Sequence, residues 1–293
     1  MVNLLKAESE DASMTKNYRY ITDPHTLDPS DAFIRYKNNN SSHPITLIRP
    51  PIYFSSRSYS TPIALPIGLA YLTAALQKAG YAVKIIDSVG NDIDNMRMTP
   101  DKRFGIKGMD EAKSIEEIPK DTDIIGITIM FSQEWPFVRE YINNVRKAFP
   151  HAFIVVGGEH VTAMSEFTLR DCPSIDYLVI GEGELILLEL VFKLRNNQPL
   201  ENIRGLASIK NGDYSLPGES PRMANIKRMP WPSWDQVNLD AYFKPNFTMG
   251  ISHGRNIAMM ATRGCPYQCT FCSSPTMWTT RYTMRDVQDV VDE

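Results

Sequence analysis

DIIGITIMFSQEWPFVREYINNVRKAFPHAFIVVGG, residues 123–158, decides the fold. It opens on Asp123 to Met130, an apolar run rich in isoleucine that reads as a strand covered on both faces. Pro136 to Phe149 then places Val138, Ile142, Val145 and Phe149 at helical spacing. Ala152 to Val156 is a second buried run, closed by Gly157 and Gly158. A strand, a helix and another strand with unbroken apolar character predict two parallel strands joined by a crossover helix.

The same alternation extends in both directions. Upstream, Ile45 to Ile48 reads as a strand ended by Arg49, Pro50 and Pro51, and Tyr53 to Thr61 as a loop. Pro66 to Lys78 carries Leu69, Leu72 and Leu76 at helical spacing, continued by Ala79, with Gly80 where a C-terminal cap belongs. Ala82 to Ile86 is the next strand, closed by Asp87. Residues 91–120 are charged and weakly patterned, with a short helix expected near Ile115 to Ile118. Downstream, Val161 to Leu169 reads as a short helix, Tyr177 to Ile180 as a fifth strand and Leu185 to Leu194 as a helix. The expectation is an α/β domain over residues 44–200 with a doubly wound, parallel, five-stranded Rossmann-like sheet. Ligands of such sheets sit at the carboxyl ends of the strands. The loops there are Pro50–Pro66, Phe131–Trp135, Gly157–Val161 and Gly181–Glu184.

Residues 1–43 are polar and read as an irregular extension. Residues 201–254 read as a connector, with a small hairpin turning at Asn211–Gly212 and a stiff Met229-Pro-Trp-Pro-Ser-Trp234 stretch. Asn256 to Thr262 is expected to be a new strand and Asp286 to Asp292 the start of a helix. A strand, a loop and a few helical turns over residues 255–293 do not make a domain, so the chain reads as truncated.

The 293 residues are 43% hydrophobic and 22% charged, with a formal net charge of −3. That suits globular domains with real cores and argues against a nucleic-acid surface, which is usually basic. No apolar run is long enough for a membrane span. The first twenty residues lack the apolar stretch of a secretory signal. A cytosolic location is the expectation.

Three of the four cysteines fall within eight residues. Cys265-Pro-Tyr-Gln-Cys269-Thr-Phe-Cys272 has the spacing C-x3-C-x2-C. In a reducing compartment such clustering points to metal or redox chemistry. Cubane clusters usually take four thiolates. Three leave one iron open to a substrate or cosubstrate. The alternatives are half of a zinc site, with Cys172 or His253 as further ligands, or a dithiol pair at Cys269 and Cys272. Neither explains all three spacings.

The segment MMATRGCPYQCTFCSSP, with an expected strand before it and Phe271 just before the third cysteine, resembles the signature loop of the radical S-adenosylmethionine superfamily. The resemblance implies that the loop follows the first strand of a (β/α) barrel, here truncated. It implies that Cys265, Cys269 and Cys272 bind a [4Fe–4S] cluster. S-adenosylmethionine then chelates the open iron, its adenine near the backbone of Phe271. One-electron reduction, by an external donor such as flavodoxin or ferredoxin, gives methionine and a 5′-deoxyadenosyl radical.

The upstream half resembles the cobalamin-binding domain that precedes the barrel in one branch of that superfamily. The residues that carry this are Pro66-x-Gly68-Leu69-Ala70-Tyr71-Leu72, Ala79-Gly80-Tyr81-x-Val83, Gly157-Gly158-x-His160, Gly181-Glu182-Gly183-Glu184 and Pro-Trp-Pro-x-Trp at 230–234. Small residues at these turns let a flat macrocycle approach the backbone. The resemblance implies cobalamin contacts at Pro66, Gly68, Gly157, Gly158, His160, Gly181, Glu182 and Gly183. The Asp-x-His-x-x-Gly loop that supplies a cobalt-binding histidine in other cobalamin domains is absent, and Asp23-Pro24-His25 lacks its glycine. Ser132, Gln133 or Glu134, after the third strand, is then expected to face the cobalt. His160 has a plainer reading as a capping or surface residue, Trp231 and Trp234 read as packing anchors, and the domain could also keep the fold without the cofactor. By resemblance the activity is C-methyl transfer to an unactivated carbon of a small molecule. The alternatives are a radical cyclase or rearrangement enzyme, a non-catalytic cobalamin-binding module, or a metal-stabilised interaction protein.

Overall fold

The computed structural model describes residues 26–39, 42–58, 63–223, 225–244 and 255–293. Strand β1 (Ile45–Arg49) pairs in parallel with β2 (Val83–Asp87) on one side and with β3 (Ile124–Thr128) on the other. Strand β3 then pairs with β4 (Phe153–Gly157), and β4 with β5 (Tyr177–Val179). The chain builds to one edge, returns past its start and builds to the other, giving the order β2-β1-β3-β4-β5. That reversal opens a crevice beside the carboxyl ends of β1 and β3.

Side chains alternate across the strands, so each strand feeds two cores. Ile45, Leu47, Val155 and Val179 face helices α1 (Ile67–Lys78) and α3 (Gly183–Arg195). Ile48, Ile125, Ile127, Ile154 and Val156 face α2 (Trp135–Ala148). Helix α2 answers with Val138, Tyr141, Ile142 and Val145, all buried. Each fully buried aliphatic side chain contributes about 1.5–3 kcal/mol, and the doubled core explains why the strands read as unbroken apolar runs.

The five expected parallel strands are present, and the sheet then continues. Strand β6 (Leu206–Lys210) adds antiparallel to β5, and β7 (Asp213–Ser215) to β6, making seven strands. The connector hairpin thus belongs to the sheet, where it covers an edge that β5 would otherwise expose. Its turn at Asn211 and Gly212 has both residues at positive φ, 53° and 88°, as a two-residue hairpin requires.

Four other expectations are corrected. Within the extension, Pro29–Arg35 is a helix capped by the Asp28 side chain on the Ser30 amide. Ala32, Phe33 and Tyr36 are buried in the core with α3. The stretch from Tyr53 is not all loop: Ile52–Ser55, Phe104–Lys107 and Met96–Met98 form a three-stranded antiparallel sheet. These strands are too short to show a period in the sequence. The expected helix at Val161–Leu169 is two helices, Glu159–Ala163 and Ser165–Asp171. The expected strand at Asn256–Thr262 reduces to Thr262–Arg263, paired antiparallel with Thr283–Met284. Among the described residues no neighbouring strand offers residues 256–261 a ladder, and Ile257 and Met259 are exposed. No helix among the described residues is long and apolar enough to cross a membrane.

Candidate cofactor site

A cavity of about 240 Å³ opens at the carboxyl ends of the strands, on the sheet face under α1 and α3. Its floor is Leu47, Gly126, Val155 and Val179. Gly126 lowers that floor, because a Cβ there would stand 2.7 Å from Leu47 Cδ2. Helix α1 supplies Gly68, Tyr71 and Leu72 as one wall, and the turn at Gly181–Glu184 another. Met260, Met277 and Trp278 reach in from the segment that carries the cysteines.

The rim is made of glycines, and they fall into two kinds. Gly158 and Gly181 are required by the chain itself. Both have positive φ, and a Cβ would meet Ile129 O at 2.4 Å and Ser220 Oγ at 2.6 Å respectively. Gly68 and Gly157 are not. A Cβ on Gly68 meets nothing within 4 Å, and one on Gly157 makes only ordinary contacts with Val179. A glycine in the first turn of α1 costs roughly 1 kcal/mol relative to alanine. Among the described residues no contact repays that cost, and the bare backbone of Gly68 faces the cavity.

Among the expected corrin contacts, Gly68, Gly157, Gly158, Gly181, Glu182 and Gly183 come together around this one cavity. Pro66, Ser132, Gln133, Glu134 and His160 are not part of its lining. Ser132 and Gln133 are exposed at the carboxyl end of the sheet, whereas Glu134 is buried. Burial pushes the Glu134 carboxyl up to about 7, opposed by the Tyr53 amide that donates to it at 3.4 Å.

His160 is a core histidine, 3% exposed and stacked on Trp135 with ring centroids 5.1 Å apart. The Thr168 hydroxyl donates to Met164 O at 2.7 Å, so its oxygen accepts from His160 Nε2 at 3.3 Å. Nδ1 is then the acceptor for the Ser132 hydroxyl at 2.9 Å. This fixes the neutral Nε2–H tautomer, and burial lowers the imidazole pKa in the same direction. His160 therefore orients Ser132 and does not reach the cavity.

Glu182 lines the cavity and also pairs its carboxylate with an arginine that the sequence does not suggest. Arg263, two residues before Cys265, projects into the fold with its side chain 3% exposed. Its Nη1 donates to Glu182 Oε1 at 3.2 Å, its Nη2 to Glu184 Oε1 at 2.5 Å and its Nε to Met260 Sδ at 2.9 Å. The guanidinium lies 5.4 Å from the ring centroids of both Tyr71 and Trp278. Burial alone would lower the Arg263 pKa, but the carboxylates of Glu184 and Glu182 more than offset it and the pKa is raised. The other oxygen of Glu182 accepts from the Met223 amide at 2.7 Å and stands 3.6 Å from Arg222 Nη1.

The cysteine loop itself is open. Cys265 is half-buried, Cys269 and Cys272 are exposed, and all three are free thiols. The Cys272 amide donates to Cys269 O at 3.1 Å, and the Ser274 amide stands 3.4 Å from Cys272 Sγ. Among the described residues no three His, Cys, Asp or Glu side chains are already gathered as a metal site. The donor set, three free thiols on one short loop, suits iron–sulfur ligation. Phe271 is 90% exposed and away from the cavity. Cys172 is buried against the other core, its thiol pushed up to about 11 by burial, and it does not join the loop. His253 and residues 23–25 lie outside the described residues. Trp234 packs on the core, and Trp231 Nε1 donates to Asp289 of the last helix at 2.9 Å.

Arg263 and Gly126 carry no expectation from the sequence, and Tyr71 and Glu184 enter there only as motif residues without a role of their own. Gly126 carried a usable signal, since an isolated glycine within a strand marks a close approach. Glu184 and Arg263 carried none, because each looks like an ordinary charge in a turn.

Residues 60–191 match the family model described as the B12 binding domain. An uncharacterized methyltransferase of Pyrococcus horikoshii is 34% identical over 251 residues, covering 85% of this chain and 49% of the relative. Cytidylyl-2-hydroxyethylphosphonate methyltransferase of Streptomyces wedmorensis is 28% identical over 258 residues, covering 78% and 47%. The chain thus spans about half the length of these curated relatives. Among solved structures, the radical S-adenosylmethionine methyltransferase TsrM from Kitasatospora setae, with cobalamin and a [4Fe–4S] cluster bound, superposes with a TM-score of 0.61. That match has 22% identity and covers 86% of this chain and 46% of the other, so it shows a shared fold.

Proposed function

Residues 60–191 are a B12-binding domain by their family match, and from that premise we propose that the chain is the cofactor-holding part of a cobalamin-dependent radical S-adenosylmethionine enzyme. The reaction is methyl transfer to an unactivated carbon of a small molecule. One observation carries the reading: a glycine-rimmed cavity at the sheet's carboxyl end is met by residues of the segment that bears the three-cysteine loop. Both curated relatives quoted above are methyltransferases by name, which favours methyl transfer over ring formation.

In this reading Gly68 and Gly157 leave room for the corrin edge, and Gly158 and Gly181 shape the turns beside it. Cys265, Cys269 and Cys272 would hold three irons of the cluster through their thiolates. The backbone at Phe271 would help hold S-adenosylmethionine. Residues 44–200, together with the helix Pro29–Arg35 and the hairpin β6–β7 that share their core and sheet, form the cobalamin unit, the rest of 201–254 is connector, and 255–293 opens the radical domain. When bound, the cofactors supply the one-electron cleavage of a sulfonium and the methyl group. The chain's own contribution is to place them and to exclude water from the cavity. A flavodoxin- or ferredoxin-type protein in the cytosol supplies the electron.

Anoxic incubation with hydroxocobalamin followed by gel filtration tests the cavity. Corrin absorbance is expected to travel with the wild-type protein and to be lost from Gly68→Leu and Gly157→Leu. Wild-type protein emerging free of corrin would sink the reading.

A further inference from the structure

Four charged side chains stand together where the cysteine segment meets the cavity turn. Arg263 and Arg222 oppose Glu182 and Glu184, and each of the four side chains is at most 9% exposed. The formal charges balance, two against two. A buried charge cluster without such balance is very costly, and removing one member leaves the others uncompensated. The cluster joins distant parts of the chain, with Arg263 81 and 79 positions along the sequence from its two carboxylates.

The cluster also closes around the start of the cysteine loop. Arg263 precedes Gly264, whose φ of +86° and whose place 2.0 Å from Arg281 O, measured from an added Cβ, admit no other residue. Arg222 Nη2 donates to that same Arg281 carbonyl at 3.3 Å. The backbone that delivers Cys265 is therefore held on both sides, by the Arg263 side chain and by the carbonyl behind Gly264. Beyond Cys265 the loop has no comparable anchor among the described residues, and Cys269, Phe271 and Cys272 are exposed.

A second arginine repeats the arrangement. Arg285 donates to Tyr71 OH at 3.2 Å and to Met260 O at 3.3 Å, and its amide donates to Ala261 O at 2.9 Å. Tyr71, on the cavity wall, thus meets both arginines, one over its ring and one at its hydroxyl. The same turn, Gly181–Glu184, lines the cavity and grips the cysteine segment through the side chains of Glu182 and Glu184.

We propose that Arg263, gripped by Glu182 and Glu184, is a positioning residue that fixes the first cysteine of the loop relative to the cobalamin cavity. The separation between the two cofactors is then set by this buried charge cluster and not by the loop. The inference rests on the proposed function for the identity of the cofactors, but the grip itself does not.

Two measurements separate these layers. The first uses the protein without added cofactors. Amide hydrogen exchange at residues 262–265 and 283–285 is expected to quicken by about tenfold or more in Arg263→Met and in the isosteric Glu184→Gln. Arg263→Lys, which keeps the charge but loses the two-pronged reach, falls between. Lys227→Met, which removes an exposed pair with Asp286 in the same segment, leaves those amides unchanged. Exchange within about twofold of wild type in Glu184→Gln and Arg263→Met overturns the proposal.

The second uses protein loaded with cob(II)alamin and a reduced cluster. Pulsed dipolar spectroscopy is expected to give one narrow distance in wild type and a broadened or shifted distribution in Glu184→Gln. A distribution identical to wild type overturns the positioning role. If wild-type protein loads neither cofactor, the functional reading fails, and the exchange experiment alone decides whether the grip exists.

Discussion

In the parallel sheet, Ile45, Ile48, Ile86 and Ile125 have no exposure at all, whereas in residues 255–293 Phe271 is 90% exposed and Val287 80%. The helices Ser274–Trp278 and Val287–Asp292 bury no residue. What this segment does bury is charge: Arg263, with Arg285 nearly covered at 6% of its side chain. The sheet is held by apolar area, which is non-directional and roughly additive. The cysteine segment is held by a few directional, buried ion pairs, which fix geometry more than they add stability. In the proposed reading, the cofactor-holding sheet and the cluster-bearing loop carry these two different kinds of attachment.

Substitutions can break this contrast at graded cost. The largest effect belongs to Ile125→Ala, which should lose about 2–5 kcal/mol in urea unfolding, while Val287→Ala stays within about 0.5 kcal/mol. Equal losses at both positions would show that the segment is apolar-cored after all. Next is Gly126→Val, which fills the cavity floor against Leu47. A loss of about 1–3 kcal/mol should accompany weaker corrin retention. Normal corrin binding in a folded Gly126→Val protein would place the cofactor elsewhere.

Glu134 gives a smaller, pH-dependent effect. Its folded pKa of about 7 lies above its ordinary value of 4.5, so the folded state holds its proton more tightly than the unfolded chain. That stabilisation is complete below 4.5 and is lost as pH rises through 7. Glu134→Gln should therefore gain about 1–2 kcal/mol at pH 8 and little at pH 4, read from thermal melts at the two pH values. A gain that is independent of pH would assign the effect to packing. The smallest effect is that of Lys227→Met, whose exposed pair with Asp286 should be worth about 0–1 kcal/mol. A larger loss would mean that surface charge also anchors the segment.

The sheet was legible because its strands are covered twice and so read as Ile- and Val-rich runs, as at Asp123 to Met130. The cavity was half legible. Its glycines stood at turns, but only coordinates separate Gly68, bare without internal need, from Gly158, bare because its backbone demands it. The strands at Ile52–Ser55 and Met96–Met98 are too short for any period to appear. Tyr36 is buried against Phe192 of α3, a contact that nothing near it in sequence announces. Arg263 was beyond reach for the same reason: its partners lie about eighty residues away in a turn whose glycines drew the attention. His160 shows the opposite error. A histidine after a glycine turn looks like a ligand, but Trp135, Ser132 and Thr168 already satisfy it.

The most direct test of the whole account is the metal and corrin content of one chain after anoxic reconstitution with iron, sulfide and hydroxocobalamin. Wild-type protein should hold about four irons, matching acid-labile sulfide, and about one corrin. Cys269→Ala should keep the corrin and lose the cluster. Stoichiometric zinc in place of iron, or a cluster that survives Cys269→Ala, would contradict it.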